Sequence, residues 1–367
     1  MKNIGLYIHI PFCLKKCPYC DFYSIPPTPD LLEKYTFALC KQIAHYGKIL
    51  NCTVDTLYFG GGTPSLIGIN NLSRILCTLH EHFLIKNLET TIEVNPQCYE
   101  YVNLEKLRNF KINRLSIGLQ SINSEELKLL GRNHTPEDVS FIISQAKKSG
   151  FENISLDIML GLPSQTQESL FKTISFCREQ DVQHISAYLL KIEPNTPFFF
   201  KKSTLNLPDE EKQTDLYLFT CEKLKQLGFY QYEISNFSLP GYQSRHNLKY
   251  WNTHEYLGLG PSAHSFILGK RFHYSRNIKD FLNNAPHILD GIGGSEEEYC
   301  MLKLRLSDGL NNDEFLSRFG YDIPKRYFEK AKLYQKYGLL KVTSNNIYFT
   351  KEGFLVSNTL LFKIILQ

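Results

Sequence analysis

From residue 4 to about residue 235, short apolar strands alternate with longer helices, and this rhythm constrains the fold more than any other feature. Strand patterns cover 4–10, 54–59, 90–94, 114–119, 154–159 and 184–190; helical spacing covers 31–47, 69–83, 104–110, 136–149 and 168–179. Strands that regularly alternate with helices assemble as a parallel sheet of βα units. Six units fit, fewer than the eight of a closed (β/α)8 barrel, so an α/β fold with a partial (β/α)6 barrel is expected. Ligands of such sheets sit outside the carboxyl ends of the strands. The polar and glycine-rich signatures fall at those ends: Gly60-Gly61-Gly62-Thr63, Glu93-Val94-Asn95-Pro96, Gln120-Ser121 and Gly161-Leu162-Pro163.

Beyond residue 236 the rhythm stops. Residues 236–290 carry Pro240, Gly241, Gly258, Gly260, Pro261 and Gly269 among many aromatics, with no clear period, and read as a linker region. Residues 291–367 read as a small α+β unit: helices over 296–306, 312–319 and 324–337, then a hairpin over 340–343 and 347–350. Three helices and a two-stranded ribbon resemble a winged helix. The helix before the wing is only moderately basic, which favours a protein-contact module over nucleic-acid binding. Three regions result: a core domain over 1–235, a linker over 236–290 and a winged-helix-like domain over 291–367.

The chain has 367 residues, 43% hydrophobic and 21% charged, with a net charge of +4 spread without a basic run. No apolar stretch reaches the roughly 20 residues of a membrane-spanning helix. The amino terminus has no signal-peptide or transit-peptide pattern. A cytoplasmic protein is expected, with peripheral membrane contact left open.

Ten cysteines are present. Cys40, Cys52, Cys77, Cys98, Cys177, Cys221 and Cys300 are scattered among apolar neighbours and read as small buried hydrophobes in a reducing compartment. The other three are crowded into Cys13-Leu-Lys-Lys-Cys17-Pro-Tyr-Cys20. Thiolates this close in a loop converge on an inorganic centre. Three ligands on a [4Fe–4S] cluster leave one iron open, whereas clusters usually take four cysteines. A structural zinc site completed by His9 is the competing reading, although zinc spacing usually repeats as two distant pairs.

C-x3-C-x2-C after a first strand resembles the radical S-adenosylmethionine (SAM) superfamily signature. The wider string Tyr7-Ile8-His9-Ile10-Pro11-Phe12-Cys13 through Cys17-Pro18-Tyr19-Cys20-Asp21-Phe22 resembles the oxygen-independent coproporphyrinogen III oxidase group, especially its HemW branch of haem chaperones. The resemblance extends over nearly the whole chain. It implies a radical SAM barrel with a HemN-type carboxyl-terminal domain, and a [4Fe–4S] cluster on Cys13, Cys17 and Cys20. It further implies that Tyr7, Gly61, Gly62, Thr63, Glu93, Gln120, Arg132 and Asp157 line SAM pockets.

Taken alone, each of those residues reads as a turn, a cap or a salt bridge. A lone histidine such as His246 reads as structural, although histidine is a common haem ligand. Here the resemblance adds a specific motif. His246-Asn247-Leu248-Lys249-Tyr250-Trp251 is similar to the H-N-x-x-Y-W motif of the chaperone branch, which implies haem at or near His246, Asn247, Tyr250 and Trp251. Two departures separate the chain from the oxidase branch. Asp21-Phe22 follows Cys20 where an oxidase carries a further cysteine, and only twelve residues precede Cys13. The resemblance therefore implies a haem carrier that serves apo-haem proteins. Oxidative decarboxylation of coproporphyrinogen III is the alternative, and a zinc-binding interaction protein a remote one.

Overall fold

The computed structural model describes residues 2–367. Strand β1 (Lys2–Ile10) leads through α1 (Pro29–Ile49) to β2 (Cys52–Gly61), then through α2 (Ile69–His82) to β3 (Leu84–Val94). Helix α3 (Leu104–Asn109) precedes β4 (Arg114–Gln120). Helices α4 (Ser124–Leu129) and α5 (Pro136–Lys148) precede β5 (Asn153–Leu160), and α6 (Gln167–Glu179) precedes β6 (His184–Leu189). Strands β1 to β6 pair in sequence order and in parallel, giving the mixed α/β fold of a partial (β/α)6 barrel. Local signals set the helix starts. Thr28 caps α1 with Pro29 in its first turn, and Thr135 with Asp138 forms a reciprocal capping box on α5.

After α7 (Pro197–Phe200) and α8 (Glu210–Gln226), the short strands β7 (Tyr230–Gln231) and β8 (Asn236–Ser238) close one edge, β8 antiparallel to β6. The chain then crosses to the other edge. Helix α9 (Arg245–Trp251) precedes β9 (Tyr256–Leu259), which lies parallel to β1. Strands β10 (His264–Ile267) and β11 (Lys270–His273), helix α10 (Ile278–Leu282) and strand β12 (Ile288–Ile292) follow, the strands antiparallel. The order of the open sheet is β12-β11-β10-β9-β1-β2-β3-β4-β5-β6-β8-β7.

The carboxyl-terminal unit comprises α11 (Glu296–Lys303), β13 (Leu310–Asn311), α12 (Asn312–Phe319), α13 (Lys325–Gln335), β14 (Leu340–Val342), β15 (Asn346–Phe349), α14 (Lys351–Leu355) and α15 (Ser357–Leu361). Its sheet runs β13-β15-β14. It docks on the barrel edge through backbone bonds from Ser307 to Tyr232 and from Ile234 to Arg305. Among the described residues no helix is long and apolar enough to cross a membrane.

The central strands sort their residues strictly by face. Ile4, Leu6, Ile8 and Ile10 of β1, Leu115, Ile117 and Leu119 of β4, and Ile154, Leu156, Ile158 and Leu160 of β5 are all fully buried. The alternate positions are polar apart from Gly5, Gly118 and Met159: Tyr7 and His9, Arg114, Ser116 and Gln120, Ser155 and Asp157. Strands of a parallel sheet buried on both faces usually read as continuous apolar runs. Here period-2 alternation makes one face apolar and the other a polar lumen.

The structure corrects several expectations. Residues 236–290, read as a linker, supply β8 to β11, α9, α10 and the start of β12 to the main sheet. Their strands are three to five residues long and separated by Gly and Pro, too short for a period to emerge. Helices α4 and α8 went unread; α8 opens and closes on charged residues, and its apolar residues are bunched over Leu216–Phe219 with Cys221 and Leu224 rather than spread at a helical period. The terminal domain has a third strand, β13, of only two residues. Cys77 is exposed rather than buried, and Cys40 only half-buried.

Candidate functional site

The cysteine loop is a closed excursion from the end of β1. Phe12 bridges to Ile25, with bonds from Cys13 N–H to Ile25 O (3.0 Å) and from Ile25 N–H to Pro11 O (2.8 Å). Residues 13–24 are thereby looped out above the strand ends. The end of β2 supports them: Thr63 N–H donates to Phe12 O at 2.7 Å, and the Thr63 hydroxyl lies 3.8 Å from Cys13 Sγ. A Cβ on Gly62 would stand 2.5 Å from Phe12 O, so glycine alone permits this approach. Gly61 has φ +111°, and a Cβ there would strike the His9 ring at 2.6 Å.

Cys13, Cys17 and Cys20 are free thiols, each half-buried. Burial pushes the Cys13 and Cys20 thiols up, and each of the two is raised further by the neighbouring cysteines. A bound metal overrides this, because a coordinating thiol is deprotonated outright. Arg132 and Lys16 supply positive charge beside the three. Among the described residues, the cysteines do not form a group with all ligand atoms within 4.8 Å, the spacing that suits one ion. His9 does not complete the set either. Its Nδ1 lies 3.1 Å from the Tyr7 hydroxyl and its Nε2 3.0 Å from Tyr23 O, and burial lowers its pKa to about 4. Both His9 nitrogens are thus engaged, and the donor set, three thiols of one loop beside the Arg132 guanidinium, fits a [4Fe–4S] cluster.

The eight residues expected to line SAM pockets come together around the same strand ends. Glu93 accepts from Tyr58 Oη at 3.0 Å and from Gly61 N–H at 3.1 Å. Burial, and then the charge of Asp157, lifts its pKa to about 7. Asp157 accepts from Ser116 Oγ at 3.2 and 3.3 Å; its pKa is raised, chiefly by burial. Tyr7 faces Glu93, whose charge and the burial of the phenol both disfavour its ionisation. Gln120, at φ +65°, folds back over Gly118 toward the Arg132 guanidinium. Arg132 donates from Nη1 to Asn95 Oδ1 (2.8 Å) and from Nη2 to the Tyr19 hydroxyl (3.0 Å). Its Nε is buried without a partner, an unsatisfied donor suited to an anionic ligand group.

The H-N-x-x-Y-W segment is helix α9 rather than a loop. His246 and Tyr250, one turn apart, point at the lumen; Asn247 and Trp251 are half-buried off that line. His246 is 1% exposed, with Nδ1 2.9 Å from Thr56 Oγ1 and Nε2 2.8 Å from the Tyr250 hydroxyl. Its ring stacks on Tyr58 at 5.3 Å, and Glu89 accepts from the backbone N–H groups of both Arg245 and His246 at 2.9 Å. Burial drives the imidazole pKa down to about 3, so it is neutral. In this conformation both ring nitrogens are engaged, and neither is free for a haem iron.

Sequence reasoning passed over Tyr19, Tyr58, Asn95, Arg114 and Ser116. The signal was present: Tyr19 lies inside the cysteine triplet, Asn95 ends β3, and the other three occupy polar positions of alternating strands. A separate cleft of about 670 Å³, lined by Lys2, Asp55, Lys249 and Arg318, opens at the amino-terminal end of the strands and shares none of these residues.

Residues 7–177 match the radical SAM superfamily, and residues 297–356 match the HemN C-terminal domain. The chain is 33% identical to a protein named heme chaperone HemW from Lactococcus lactis, over 100% of this chain and 98% of that one. It is 36% identical to the protein of the same name from Buchnera aphidicola subsp. Acyrthosiphon pisum, over 98% of each chain. Among solved structures, coproporphyrinogen III oxidase (HemN) from Escherichia coli superposes with a TM-score of 0.83 at 24% identity, over 99% of this chain and 90% of that one. At that identity the likeness speaks for the fold.

Proposed function

The chain belongs to the radical SAM superfamily and, within it, to the haem chaperone HemW family, and from that premise we propose that it carries haem to apo-haem proteins in the cytoplasm. Identity of 33–36% along the whole chain with proteins named haem chaperones carries this reading. The motif His246-Asn247-x-x-Tyr250-Trp251 and the absence of a cysteine directly after Asp21 accompany it.

Cys13, Cys17 and Cys20 hold the [4Fe–4S] cluster, and Arg132 balances the charge of their thiolates. When bound, the cluster supplies an iron with an open coordination position, and SAM supplies an amino acid end, a sulfonium and an adenosine. Gly61, Gly62 and Thr63 bring backbone close to SAM because no side chain intervenes. Glu93 and Asp157 accept from its amine and hydroxyl groups, while Gln120 and Arg132 donate to its oxygens. Tyr7 and Tyr58 wall the pocket and keep water from it. In the conformation described, His246 braces the lumen wall, so its imidazole reaches a haem iron only once the ring gives up its bonds to Thr56 and Tyr250.

Haem titrated anaerobically into cluster-reconstituted protein, followed at the Soret band, tests the proposal. Saturable, stoichiometric binding and transfer to an apo-haem protein are expected. A titration that never saturates refutes the carrier, and turnover of coproporphyrinogen III with SAM and a reductant then becomes the measurement.

A further inference from the structure

Strands β10, β11 and β12 form an antiparallel edge with no part in the chemistry above, yet they gather two imidazoles and a carboxylate. His264 and His273 are direct cross-strand partners. Their rings stack at 5.0 Å between centroids and 23° between planes. Asp290 stands at a break in the β11–β12 register, between the pairs Phe272–Leu289 and Arg271–Gly291, and is left out of the ladder. Its carboxylate is turned to both rings: Oδ1 lies 2.8 Å from His273 Nδ1 and Oδ2 3.9 Å from His264 Nδ1. One ligand atom from each of the three lies within 4.8 Å of the others.

We propose that His264, His273 and Asp290 form a site for one divalent transition-metal ion, separate from the cysteine loop, that ties the three edge strands together. A simple ion pair needs one histidine. Here a second imidazole is stacked on the first and turned to the same carboxylate, so two nitrogens and one oxygen converge from three strands. Two imidazoles and a carboxylate suit Zn²⁺, Fe²⁺, Co²⁺ or Ni²⁺; all-oxygen sites are what Mg²⁺ and Ca²⁺ require. The side of the site facing solvent is open, His264 being 65% exposed, so an ion can enter directly and keep water as its remaining ligands. The nearest cations are already committed: Arg271 pairs with Glu298, and Arg276 with Asp21.

The position gives the ion a consequence. Three residues beyond His273, Arg276 donates to the carboxylate of Asp21, the residue after Cys20, at 3.2 Å. Ile278 N–H donates to the Tyr23 hydroxyl at 2.8 Å. An ion that steadies the end of β11 therefore steadies the segment that clasps the cysteine loop.

Zn²⁺ titrated calorimetrically into the cluster-loaded full-length protein tests the site. One equivalent should bind saturably, and Mg²⁺ should not. The His264→Ala/His273→Ala double variant should lose that equivalent with its circular dichroism unchanged. Asp290→Asn, which keeps the shape of the side chain but removes a ligand's charge, should weaken binding by at least the roughly 10–100-fold that loss of an outer-shell partner costs. Two results overturn the proposal: wild-type protein that takes up no Zn²⁺ below ~1 mM, or a double variant that binds it as tightly as wild type.

Discussion

Replacing His246 by alanine separates two roles that the motif alone runs together. The ring is fully enclosed and satisfies Thr56 Oγ1 and the Tyr250 hydroxyl at 2.9 and 2.8 Å while stacking on Tyr58. Removing it orphans two hydroxyls, Thr56 being 0% exposed, and opens a ring-sized void. An unsatisfied buried polar group costs about 1–3 kcal/mol, and a lost ring contact about 0.5–1.5 kcal/mol. The variant should therefore be destabilised by about 2.5–7.5 kcal/mol, a large share of the 5–15 kcal/mol typical of a folded domain. Urea unfolding of cluster-loaded protein measures this, beside a haem titration corrected for the folded fraction. If stability instead changes by less than about 1 kcal/mol while haem binding disappears, the imidazole is a ligand held for the iron, and the reasoning from its buried bonds is wrong.

Four further outcomes are expected. Cys13→Ala/Cys17→Ala/Cys20→Ala protein should contain no cluster iron or sulfide and lose its brown absorption, yet keep its far-ultraviolet dichroism, because the loop lies outside the apolar core; a full cluster in that variant would contradict the assignment. SAM binding, read by equilibrium dialysis, should weaken as pH falls through about 7, because the Glu93 carboxyl, raised from 4.5 to about 7, then takes up a proton and no longer attracts a cationic ligand. Without SAM the sign is opposite: burial disfavours the Glu93 carboxylate, so its contribution to stability is full below 4.5 and is lost as pH rises through about 7, and Glu93→Gln should remove that slope in a denaturation series. Gly61→Ala should weaken SAM binding and cost about 1–2 kcal/mol from the positive φ alone, before the added clash with His9; thermal unfolding unchanged from wild type would remove the argument for glycine there.

Much of the chain was legible before any coordinates. The six parallel strands were visible because each is a short segment with apolar residues at alternate positions next to a helix with readable start and stop signals, such as Thr135-Pro136 before α5 and Gly150 after it. The cysteine triplet and the glycine turn were legible because their chemistry depends on local spacing: three thiols within eight residues share a loop in almost any fold. The edge strands β9 to β12 were not legible. Four or five residues between turns carry too little pattern, and the pairing of β9 with β1, which anchors the rest, joins segments about 250 residues apart.

What the sequence determined by itself was composition at each position: polar residues alternating along the strands, cysteines in a loop, a histidine in a recognisable string. Only the tertiary structure decided which of these groups meet. Arg132 joins Tyr19 and Asn95 because the strand ends converge there, and Glu93 reaches Gly61 because β2 and β3 are neighbours in register. His246 becomes a buried, doubly bonded wall residue because α9 packs across β2, where Thr56 supplies its partner from 190 positions earlier in the chain. A hydrogen bond depends on distance and direction in space, and neither is written in residue order for groups so far apart along the chain.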